Sequence, residues 1–292
     1  MRQTWFTNSL AARQLVRAKV IKKPKLYSFS KFIYRKYCTA TQCLHTLPDF
    51  LIIGAGKCGT SSLYEYLIQH TSVNKSLTKQ IHFFDRYYDR GVAWYKVCFP
   101  FKWQKSISGE ATPHYMTHPL AAERAFKVVP NAKIIAMLRN PIDRAFSHYK
   151  MEFRNNNENL SFEDAIEQEE YRISGEFEKM LNNENNNGMN YPHRAYVKCG
   201  EYFEQIKRWK KFYPNEQILI IKSEDFFDNP EKITNQVFEF LVLPPFKLKE
   251  YPVIRKGNYD RMNLDTRRKL AEYFRSYNEK LYKLLGRDFG WN

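Results

Sequence analysis

Apolar and polar positions follow one another along the chain in blocks that predict three buried strands, each followed by an amphipathic helix. The predicted strands are residues 49–53, 133–138 and 217–222, and the apolar run in each has the length of a strand buried on both faces. After each run, apolar residues recur every three or four positions, as in a helix with one buried face. Strands that alternate with helices in this way predict an α/β fold with a mainly parallel central sheet flanked by helices.

The segments between these units have weaker patterns. Residues 77–84 predict a loop or a short strand, and residues 106–108 predict another short strand. Residues 151–198 are helical in pattern but polar, and their asparagine tracts mark loops. Residues 244–264 are loop-like, and a final helix is expected over about 266–285.

The turn after the first predicted strand has the features of an anion-binding loop. Residues 54–62 read Gly-Ala-Gly-Lys-Cys-Gly-Thr-Ser-Ser and lead into a helix N-terminus. Free backbone N–H groups and the positive end of the helix dipole converge at such a turn, and Lys57 adds a charge. A Walker-type loop needs a lysine directly after Gly59, where Thr60 stands. The loop therefore predicts a phosphate-like ligand without ATPase chemistry; an ordinary turn with a surface lysine is the structural alternative.

A second helix start follows the second predicted strand. Arg139, Asn140 and Pro141 supply a cation, a helix cap and a proline suited to the first helical position. Because ligands bind beyond the carboxyl ends of parallel strands, residues 54–62 and 139–147 are expected to face one crevice. Their ligand should carry two separated anionic groups. The alternative for Arg139 is a structural ion pair at a strand end.

Composition limits the number of domains and shows where the positive charge of the chain is concentrated. The chain has 292 residues, 43% hydrophobic and 16% aromatic, which is enough for a large core in one or at most two domains. The formal net charge is +16, and residues 1–48 contain ten Lys or Arg and no Asp or Glu. We expect residues 1–48 to be a basic extension, targeting or disordered, and residues 49–292 to be a single domain.

Several classes of protein are disfavoured. The five cysteines are scattered and form no Cys-x-x-Cys pair, so we expect mostly free thiols and no metal site. No apolar run approaches the roughly 18 to 20 residues of a membrane span, so we expect no transmembrane segment. No nucleic-acid-binding motif occurs, and the charge is concentrated in the N-terminal segment, so no nucleic-acid partner is expected.

At these residues the chain resembles the sulfotransferases that use 3′-phosphoadenosine 5′-phosphosulfate (PAPS), and within them the heparan-sulfate type of carbohydrate sulfotransferase. Residues 54–62 are similar to that family's 5′-phosphosulfate loop, and residues 138–149, Leu-Arg-Asn-Pro-Ile-Asp-Arg-Ala-Phe-Ser-His-Tyr, to its 3′-phosphate motif. Further matching segments occur in the family's order at residues 81–85, 94–95, 112–113 and 285–291. The resemblance covers residue 49 to the C-terminus and implies the P-loop-like sulfotransferase fold.

The resemblance also implies roles for individual residues. Arg139 and Ser147 would bind the 3′-phosphate, and Lys256 with Gly257 would close over the nucleotide, although Asn258 stands where the heparan-sulfate enzymes have arginine. A plain surface position is the alternative for Lys256. The 5′-phosphosulfate would be bound by Lys57, Cys58, Gly59, Thr60, Ser61 and Ser62.

The position of the catalytic base departs from the family. Heparan-sulfate-type enzymes have a glutamate as base two residues before the His-Phe-Phe segment, and here Gln80 stands at that position. An amide cannot take the acceptor's proton. The same enzymes have a lysine in the segment that matches residues 110–113, where this chain has Ala111.

Three explanations for the missing glutamate stay open at this point. His82 could be the base with Asp85 as its orienting partner, Glu110 could substitute, or the protein could bind nucleotide and catalyse poorly. We favour His82, because an unperturbed imidazole titrates near neutral pH. A packed structural histidine is the alternative. Lys57 and His82 are therefore the predicted catalytic residues.

The expected function is transfer of a sulfuryl group from PAPS to a hydroxyl or amine of a carbohydrate, with PAPS as co-substrate and no metal. Such transfer needs alignment, charge stabilisation and proton removal. A silent PAPS- or PAP-binding protein is the main alternative, and a P-loop nucleotide kinase is disfavoured by Thr60. Acceptor choice is expected to lie in loops such as 151–198.

The N-terminal segment indicates in which cellular compartment the protein is expected. The family's animal members are usually anchored in the Golgi lumen, whereas residues 1–48 resemble an organelle transit segment or a plain basic tail. These features favour a soluble protein of a plastid, a mitochondrion or the cytoplasm.

Overall fold

A five-stranded sheet forms the centre of the protein in the computed structural model, which describes residues 36–104, 106–182, 190–252, 254 and 262–291. The strands are β1 (Phe50–Gly54), β2 (Val73–Lys75), β3 (Ile107–Ala111), β4 (Lys133–Leu138) and β5 (Ile218–Lys222). In the described chain they lie in the order β2-β3-β1-β4-β5, and each neighbouring pair is parallel. This arrangement confirms the predicted α/β fold with a parallel central sheet.

Helices flank the sheet and connect its strands. Residues 36–41 are helical as well and precede the numbered helices. In chain order the numbered helices are α1 (Thr60–Leu67), α2 (Phe83–Arg86), α3 (Val92–Lys96), α4 (Ala121–Val128), α5 (Pro141–Arg154), α6 (Phe162–Glu167), α7 (Glu169–Ile173), α8 (Glu176–Leu181), α9 (Tyr191–Arg194), α10 (Tyr202–Lys210), α11 (Ser223–Asp228), α12 (Pro230–Phe240) and α13 (Leu264–Leu285).

The middle of the core is formed by β1 and β4. All five residues of β1 are buried, and so are all residues of β4 except the first. Strands covered by helices on both faces must be apolar at every position, which is why their sequences are continuous rather than alternating apolar runs.

Asparagine caps and prolines set the starts of α5 and α12. Asn140 Oδ1 accepts a hydrogen bond from Ile142 N–H at 3.0 Å, and Asn229 Oδ1 accepts one from Lys232 N–H at 3.0 Å. In both helices the first position is a proline, whose missing N–H would have no helical partner there. The helix start predicted at Asn140 and Pro141 is confirmed, and α5 begins at the end of β4.

The sequence patterns missed or misplaced several elements. Strand β2 was not predicted, because only one of its three residues is buried and it shows no apolar run. Helix α4 was also missed, since its buried positions are three alanines and an arginine rather than large apolar residues. Residues 77–84 were expected to form a loop or strand, but Phe83 and Phe84 begin α2. The strand predicted at residues 106–108 corresponds to β3, which is longer and covers Ile107–Ala111.

The order of the strands creates a crevice between β1 and β4. From β1 the chain passes through α1 towards β2 on one side of the sheet, and from β4 it passes through α5 to α10 towards β5 on the other side. The two connections diverge at the carboxyl ends of adjacent parallel strands, which is where open α/β sheets bind ligands. The two predicted anion-binding turns therefore flank this crevice.

Residues 36–48 pack against the rest of the protein. His45 Nδ1 lies 2.8 Å from Phe99 O, His45 pairs with Phe101 in an isolated antiparallel bridge, and Cys38 is buried. Most of the expected basic extension lies outside the described residues, so its limits stay a prediction. Among the described helices, none combines the length and the apolar character needed to cross a membrane.

Candidate active site

The loop between β1 and α1 forms the centre of the candidate site. β1 ends at Gly54, and α1 begins at Thr60 after Gly59, which has a left-handed φ of 92°. The N–H groups in the first turn of α1 have no helical carbonyl partner, so they and the helix dipole favour an anion at the loop. Lys57 is half-buried in the same loop and has a φ of 72°. A cation thus lies beside a helix N-terminus.

Two glycines let the loop adopt this shape. A Cβ on Gly54 would lie 2.7 Å from Met116 Cβ and 3.0 Å from Pro113 O. A Cβ on Gly59 would lie 3.0 Å from Phe227 Cζ, in a backbone conformation that residues with a side chain rarely adopt. The absence of a side chain at Gly54 allows the turn after β3 to pack directly against the loop.

The predicted phosphosulfate residues divide into two groups. Cys58 is buried with its Sγ 4.0 Å from Tyr202 Oη, and burial raises the pKa of its thiol to about 11. Ser62 Oγ accepts a hydrogen bond from Ile254 N–H at 3.0 Å. The side chains of Cys58 and Ser62 therefore serve the fold, and their backbone N–H groups are what they can offer a ligand. The other predicted residues of the loop are Lys57, Gly59, Thr60 and Ser61.

The turn between β4 and α5 lies beside this loop. Arg139 Nη1 donates a hydrogen bond to Lys57 O at 3.5 Å, which brings the two predicted anion sites together. Tyr202 Oη donates to Arg139 O at 2.9 Å, and Glu224 Oε1 accepts from Asn140 N–H at 2.8 Å. Residues from α10 and α11 thus fix the turn, while the Arg139 side chain is half-buried.

Helix α5 carries the second predicted 3′-phosphate residue. Ser147 lies near the middle of α5 and is buried. Arg144, one turn earlier, is also buried, and its Nη2 donates to Tyr196 O. Its positive charge lowers the pKa of the Cys58 thiol against the larger effect of burial. The sequence analysis did not single out Arg144, although it belongs to the 138–149 motif.

On the side of β3, His82 forms a pair with Asp85. His82 caps the N-terminus of α2 with a φ of 57°, and its Nδ1 lies 2.8 Å from Asp85 Oδ2. Burial of Asp85 favours the neutral acid, but the hydrogen bond and charge of His82, with His114 and Arg86, outweigh burial and hold the pKa of Asp85 below its ordinary value. An ionised Asp85 accepts the Nδ1–H, which leaves Nε2 of His82 to accept a proton.

The turn that carries His114 joins the His82 pair to the loop. The rings of His82 and His114 lie 5.5 Å apart between centroids, and Pro113, the residue before His114, lies against Gly54 of the loop. Burial lowers the pKa of His114 to about 4, so His114 is neutral at physiological pH. Burial, then the positive charges of Arg144 and Lys57, lower the pKa of His148 in α5 well below its ordinary value.

A small cavity adjoins the His82 pair. Asp85 and His114 line this cavity of about 10 Å³ together with Met180, Tyr191 and Pro192. The last three residues belong to α8 and α9, within the polar segment that the sequence analysis linked to acceptor choice. That segment therefore reaches Asp85, the partner of the candidate base.

Glu110, the alternative base, is enclosed by hydrogen-bond donors. Its side chain is 0% exposed, and burial raises the pKa of its carboxyl despite the donors around it. The donors are Tyr95 Oη at 2.6 Å, Thr112 Oγ1 at 2.6 Å, Tyr115 Oη at 2.8 Å and Ile81 N–H at 3.1 Å. A carboxyl group in this position holds β3 and the His82 segment together and is poorly placed to take a proton from a substrate.

Lys79 is a residue of the site that the sequence analysis did not single out. Its Nζ donates a hydrogen bond to Ser61 Oγ in the first turn of α1, and its carbonyl accepts from Ala111 N–H at 2.9 Å. The only sequence signal was a lysine three residues before His82, and nothing in that spacing indicated a contact with the loop.

The remaining predictions concern the nucleotide loop and metals. Lys256, Gly257 and Asn258 lie outside the described residues, so their contact with nucleotide stays a prediction. Within the ranges that the structure describes, no group of three or more His, Cys, Asp or Glu residues could hold a metal ion. The cysteines at the described positions are free thiols.

Comparison with known proteins links this chain to one enzyme family. Residues 47–280 match the family model described as "Sulfotransferase domain". The membrane-associated sulfotransferase kil1 of Dictyostelium discoideum is 31% identical over an alignment that covers 84% of this chain and 66% of the relative. Human heparan sulfate glucosamine 3-O-sulfotransferase 3B1 is 27% identical, with 84% of this chain and 65% of the relative covered. The chain thus spans about two thirds of the length of these relatives.

A solved structure gives the same result for the fold. The crystal structure of a sulfotransferase from Alicyclobacillus acidocaldarius superimposes with a TM-score of 0.69 at 29% identity, covering 84% of this chain and 99% of the other. The superposition covers nearly the whole of that enzyme, so the parallel sheet and its flanking helices form the sulfotransferase fold. From the match over residues 47–280, the chain belongs to the sulfotransferase domain family.

Proposed function

We propose that this protein transfers a sulfuryl group from PAPS to a hydroxyl or amine of a carbohydrate acceptor. The contact between the Arg139 guanidinium and the carbonyl of Lys57 is the observation that carries the proposal, because it joins two cationic, helix-starting turns at one crevice. A nucleotide with a phosphosulfate at one end and a 3′-phosphate at the other matches two such sites. The names of the heparan sulfate relatives support a carbohydrate acceptor.

The binding roles follow from the chemistry of the donors. Lys57 and the N–H groups at the start of α1 bind the 5′-phosphosulfate, and the Lys57 charge stabilises the phosphate that leaves. Arg139 offers its planar set of N–H donors to the 3′-phosphate, assisted by the N-terminus of α5 and by Ser147. Lys256 and Gly257 are proposed to cover the nucleotide.

The transfer step requires one proton acceptor. The acceptor oxygen attacks sulfur, the bond between sulfur and the bridging phosphate oxygen breaks, and 3′-phosphoadenosine 5′-phosphate (PAP) leaves with that oxygen. The acceptor's proton passes to Nε2 of His82, and Asp85 stabilises the imidazolium that forms through its hydrogen bond to Nδ1. The proton is then released to water. Lys57 and His82 are the proposed catalytic residues.

The acceptor is proposed to contact α8 and α9, which carry Met180, Tyr191 and Pro192. These residues line a cavity together with Asp85, the partner of the proposed base, and its volume of about 10 Å³ is too small for a sugar, so the acceptor would lie outside it. The names of the relatives favour a hydroxyl over an amine as the reacting group.

The direct test is transfer of 35S from labelled PAPS to a panel of heparan sulfate, other polysaccharides and small phenols. We expect labelled polysaccharide, with a rate that falls when Lys57 or Arg139 is changed to alanine. Exclusive labelling of phenols would remove the carbohydrate part of the proposal. Magnesium-dependent ATP turnover in place of sulfate transfer would reassign the protein to the kinase class.

A protein that binds PAPS or PAP without efficient transfer is the second candidate. Gln80 at the position of the family's glutamate favours it, because the amide cannot accept a proton. The Gln80→Glu variant separates the two candidates. If His82 is the base, we expect a change in kcat of less than about threefold, whereas an increase of more than about tenfold would show that transfer is limited by the missing carboxylate.

A further inference from the structure

The segment that leads to His82 is fixed along the end of β3. Ala111 N–H donates to Lys79 O at 2.9 Å, and Ile81 N–H donates to the buried Glu110 carboxyl at 3.1 Å. His82 N–H follows at 3.4 Å from Thr112 Oγ1. Backbone contacts at three of four consecutive residues leave little freedom in where the Lys79 side chain begins.

The same segment is also tied to α1 from the other direction. Ser76 Oγ lies 2.8 Å from Tyr64 Oη, and Ser76 N–H donates to that hydroxyl at 3.1 Å. Tyr64 belongs to α1, so β2 and the chain after it are anchored on the helix that begins at the loop. The half-buried Lys79 then reaches Ser61 in the first turn of this helix.

Lys79 therefore connects the loop that would bind the donor with the segment that carries the proposed base. Its Nζ contacts Ser61 at the start of α1, and His82 follows three residues later on the same fixed segment. In the proposed reaction the sulfur lies between the donor phosphate and the acceptor oxygen, hence between the loop and His82. A cation that spans these two elements lies next to the group in transfer.

We propose that Lys79 binds the sulfonate oxygens of the donor and stabilises their charge during transfer. The proposal rests on the proposed function, since it assigns a residue to that same site. The Nζ of Lys79 exchanges its contact with Ser61 Oγ, wholly or in part, for a sulfonate oxygen when PAPS binds. PAP has no sulfonate group, so Lys79 discriminates PAPS from PAP.

The test compares Lys79→Met and Lys79→Arg with the matched control Lys127→Met, whose lysine is 62% exposed on α4. Affinities for PAPS and for PAP are measured by calorimetry, and transfer is measured with labelled PAPS. For Lys79→Met we expect about tenfold weaker PAPS binding, less than threefold change for PAP, and about a hundredfold loss of kcat/KM. Lys79→Arg should keep most of the activity, and Lys127→Met all of it.

The outcomes separate the two proposals. Equal losses of PAPS and PAP affinity in Lys79→Met, or no loss of either, would overturn the role of Lys79. Unchanged PAP affinity also shows that Lys79→Met is folded. If the wild-type protein binds PAPS and transfers no sulfate to any acceptor, the proposed function fails, and the difference between PAPS and PAP affinities still decides whether Lys79 contacts the sulfonate.

Discussion

Lys57 and His82 share a backbone conformation that is rare for residues with a side chain. Their φ angles are 72° and 57°, in the left-handed region, which costs on the order of 1 kcal/mol or more for each residue. Asn156 and Val242 also have positive φ, so the conformation alone does not identify a site. Lys57 and His82 differ from these two because Lys57 lies in the loop after β1 and His82 contacts the turn after β3, beside the same crevice.

His82 is expected to control the pH dependence of transfer. Its Nε2 accepts a proton only when the ring is neutral, so kcat of the wild-type protein should fall on the acid side of its pH profile. His82→Gln should lower kcat by about 10²-fold to 10⁴-fold and remove that acid limb. The measurement is kcat for 35S transfer between pH 5 and pH 9.

Binding measurements distinguish a loss of catalysis in His82→Gln from a loss of nucleotide binding. PAP affinity should stay within about threefold of the wild-type value in His82→Gln, because the proposed role concerns the acceptor's proton. Asp85→Asn should also lower kcat, since an amide can leave the imidazole in the wrong tautomer, whereas the exposed Asp89→Asn serves as control. If the pH profile of His82→Gln keeps its acid limb, a group other than His82 takes the acceptor's proton.

The residues of the site differ in how well the sequence predicts them. Lys57 and Arg139 follow directly from the chain, because each lies in a short segment between a buried strand and a helix start. Lys79 could not be predicted, since its contact with Ser61 depends on how the segment after β2 crosses the end of β3. The burial of Glu110 could not be predicted either, because two of its four donors, Ile81 and Tyr95, come from segments before β3.

At the scale of elements, the loop before α1 depends on the glycine that precedes the helix. The φ of Gly59 is 92°, and an added Cβ would meet Phe227 Cζ at 3.0 Å and Met137 Cε at 3.3 Å. We expect Gly59→Ala to lower the free energy of unfolding by about 1 to 3 kcal/mol and to weaken PAP binding. Urea unfolding and calorimetry measure the two effects.

A matched substitution lies three residues earlier. A Cβ on Gly56 would meet no atom within 4 Å, so Gly56→Ala should change the free energy of unfolding by no more than about 0.5 kcal/mol. If the two variants prove equally stable, steric strain at Gly59 is not what fixes the loop.

A buried carboxylate organises the segment between α5 and α10. Glu158 is buried, and its Oε2 accepts hydrogen bonds from Arg172 at 2.7 Å, Arg194 at 2.7 Å and the Tyr196 hydroxyl at 2.8 Å. Burial alone would raise the pKa of Glu158, but these partners and the Leu160 N–H lower it to about 2. The network joins α7, α9 and the chain after them, and α9 forms part of the cavity wall.

The Glu158 network should contribute stability that depends on pH. The folded pKa of about 2 lies below the ordinary value of 4.5, so the contribution is present above about pH 5 and is lost as pH falls towards 2. A shift of this size corresponds to about 3 kcal/mol. We expect Glu158→Gln to lower the free energy of unfolding by about that amount at pH 7, and by about 1 kcal/mol less at pH 3.5.

Urea unfolding at both pH values tests this, with the exposed Glu239→Gln as control. A loss in Glu158→Gln that is the same at pH 7 and pH 3.5 would assign the effect to packing rather than to the charge of Glu158.

Element prediction from the sequence succeeded where burial is continuous. β4 was predicted over its full length, and β5 and α13 within two residues at each end, because apolar runs and helical periodicity are strong there. β2 has three residues and lies at the edge of the sheet, so its formation depends on pairing with β3 rather than on its own pattern.

At the scale of the whole molecule, the ligand would join two sides of the sheet. One side, from β2 to β1, carries the loop, Lys79 and the His82 pair; the other, from β4 to β5, carries Arg139 and Ser147. β1 and β4 are adjacent, so a nucleotide with both anionic ends bound would span the crevice between them. Its binding should therefore stabilise the whole fold and not one loop.

Nucleotide binding is expected to raise the melting temperature of the wild-type protein. A ligand at 100 times its Kd stabilises the folded state by about 2.7 kcal/mol, which for a chain of this size corresponds to a rise of about 5 °C. Arg139→Ala should lose most of the rise produced by PAP and little of the rise produced by adenosine 5′-phosphate, which has no 3′-phosphate. Arg275→Ala, 61% exposed on α13, should respond to both ligands as the wild-type protein does. Equal losses with PAP and adenosine 5′-phosphate would mean that Arg139 supports the fold of the crevice and does not bind the 3′-phosphate.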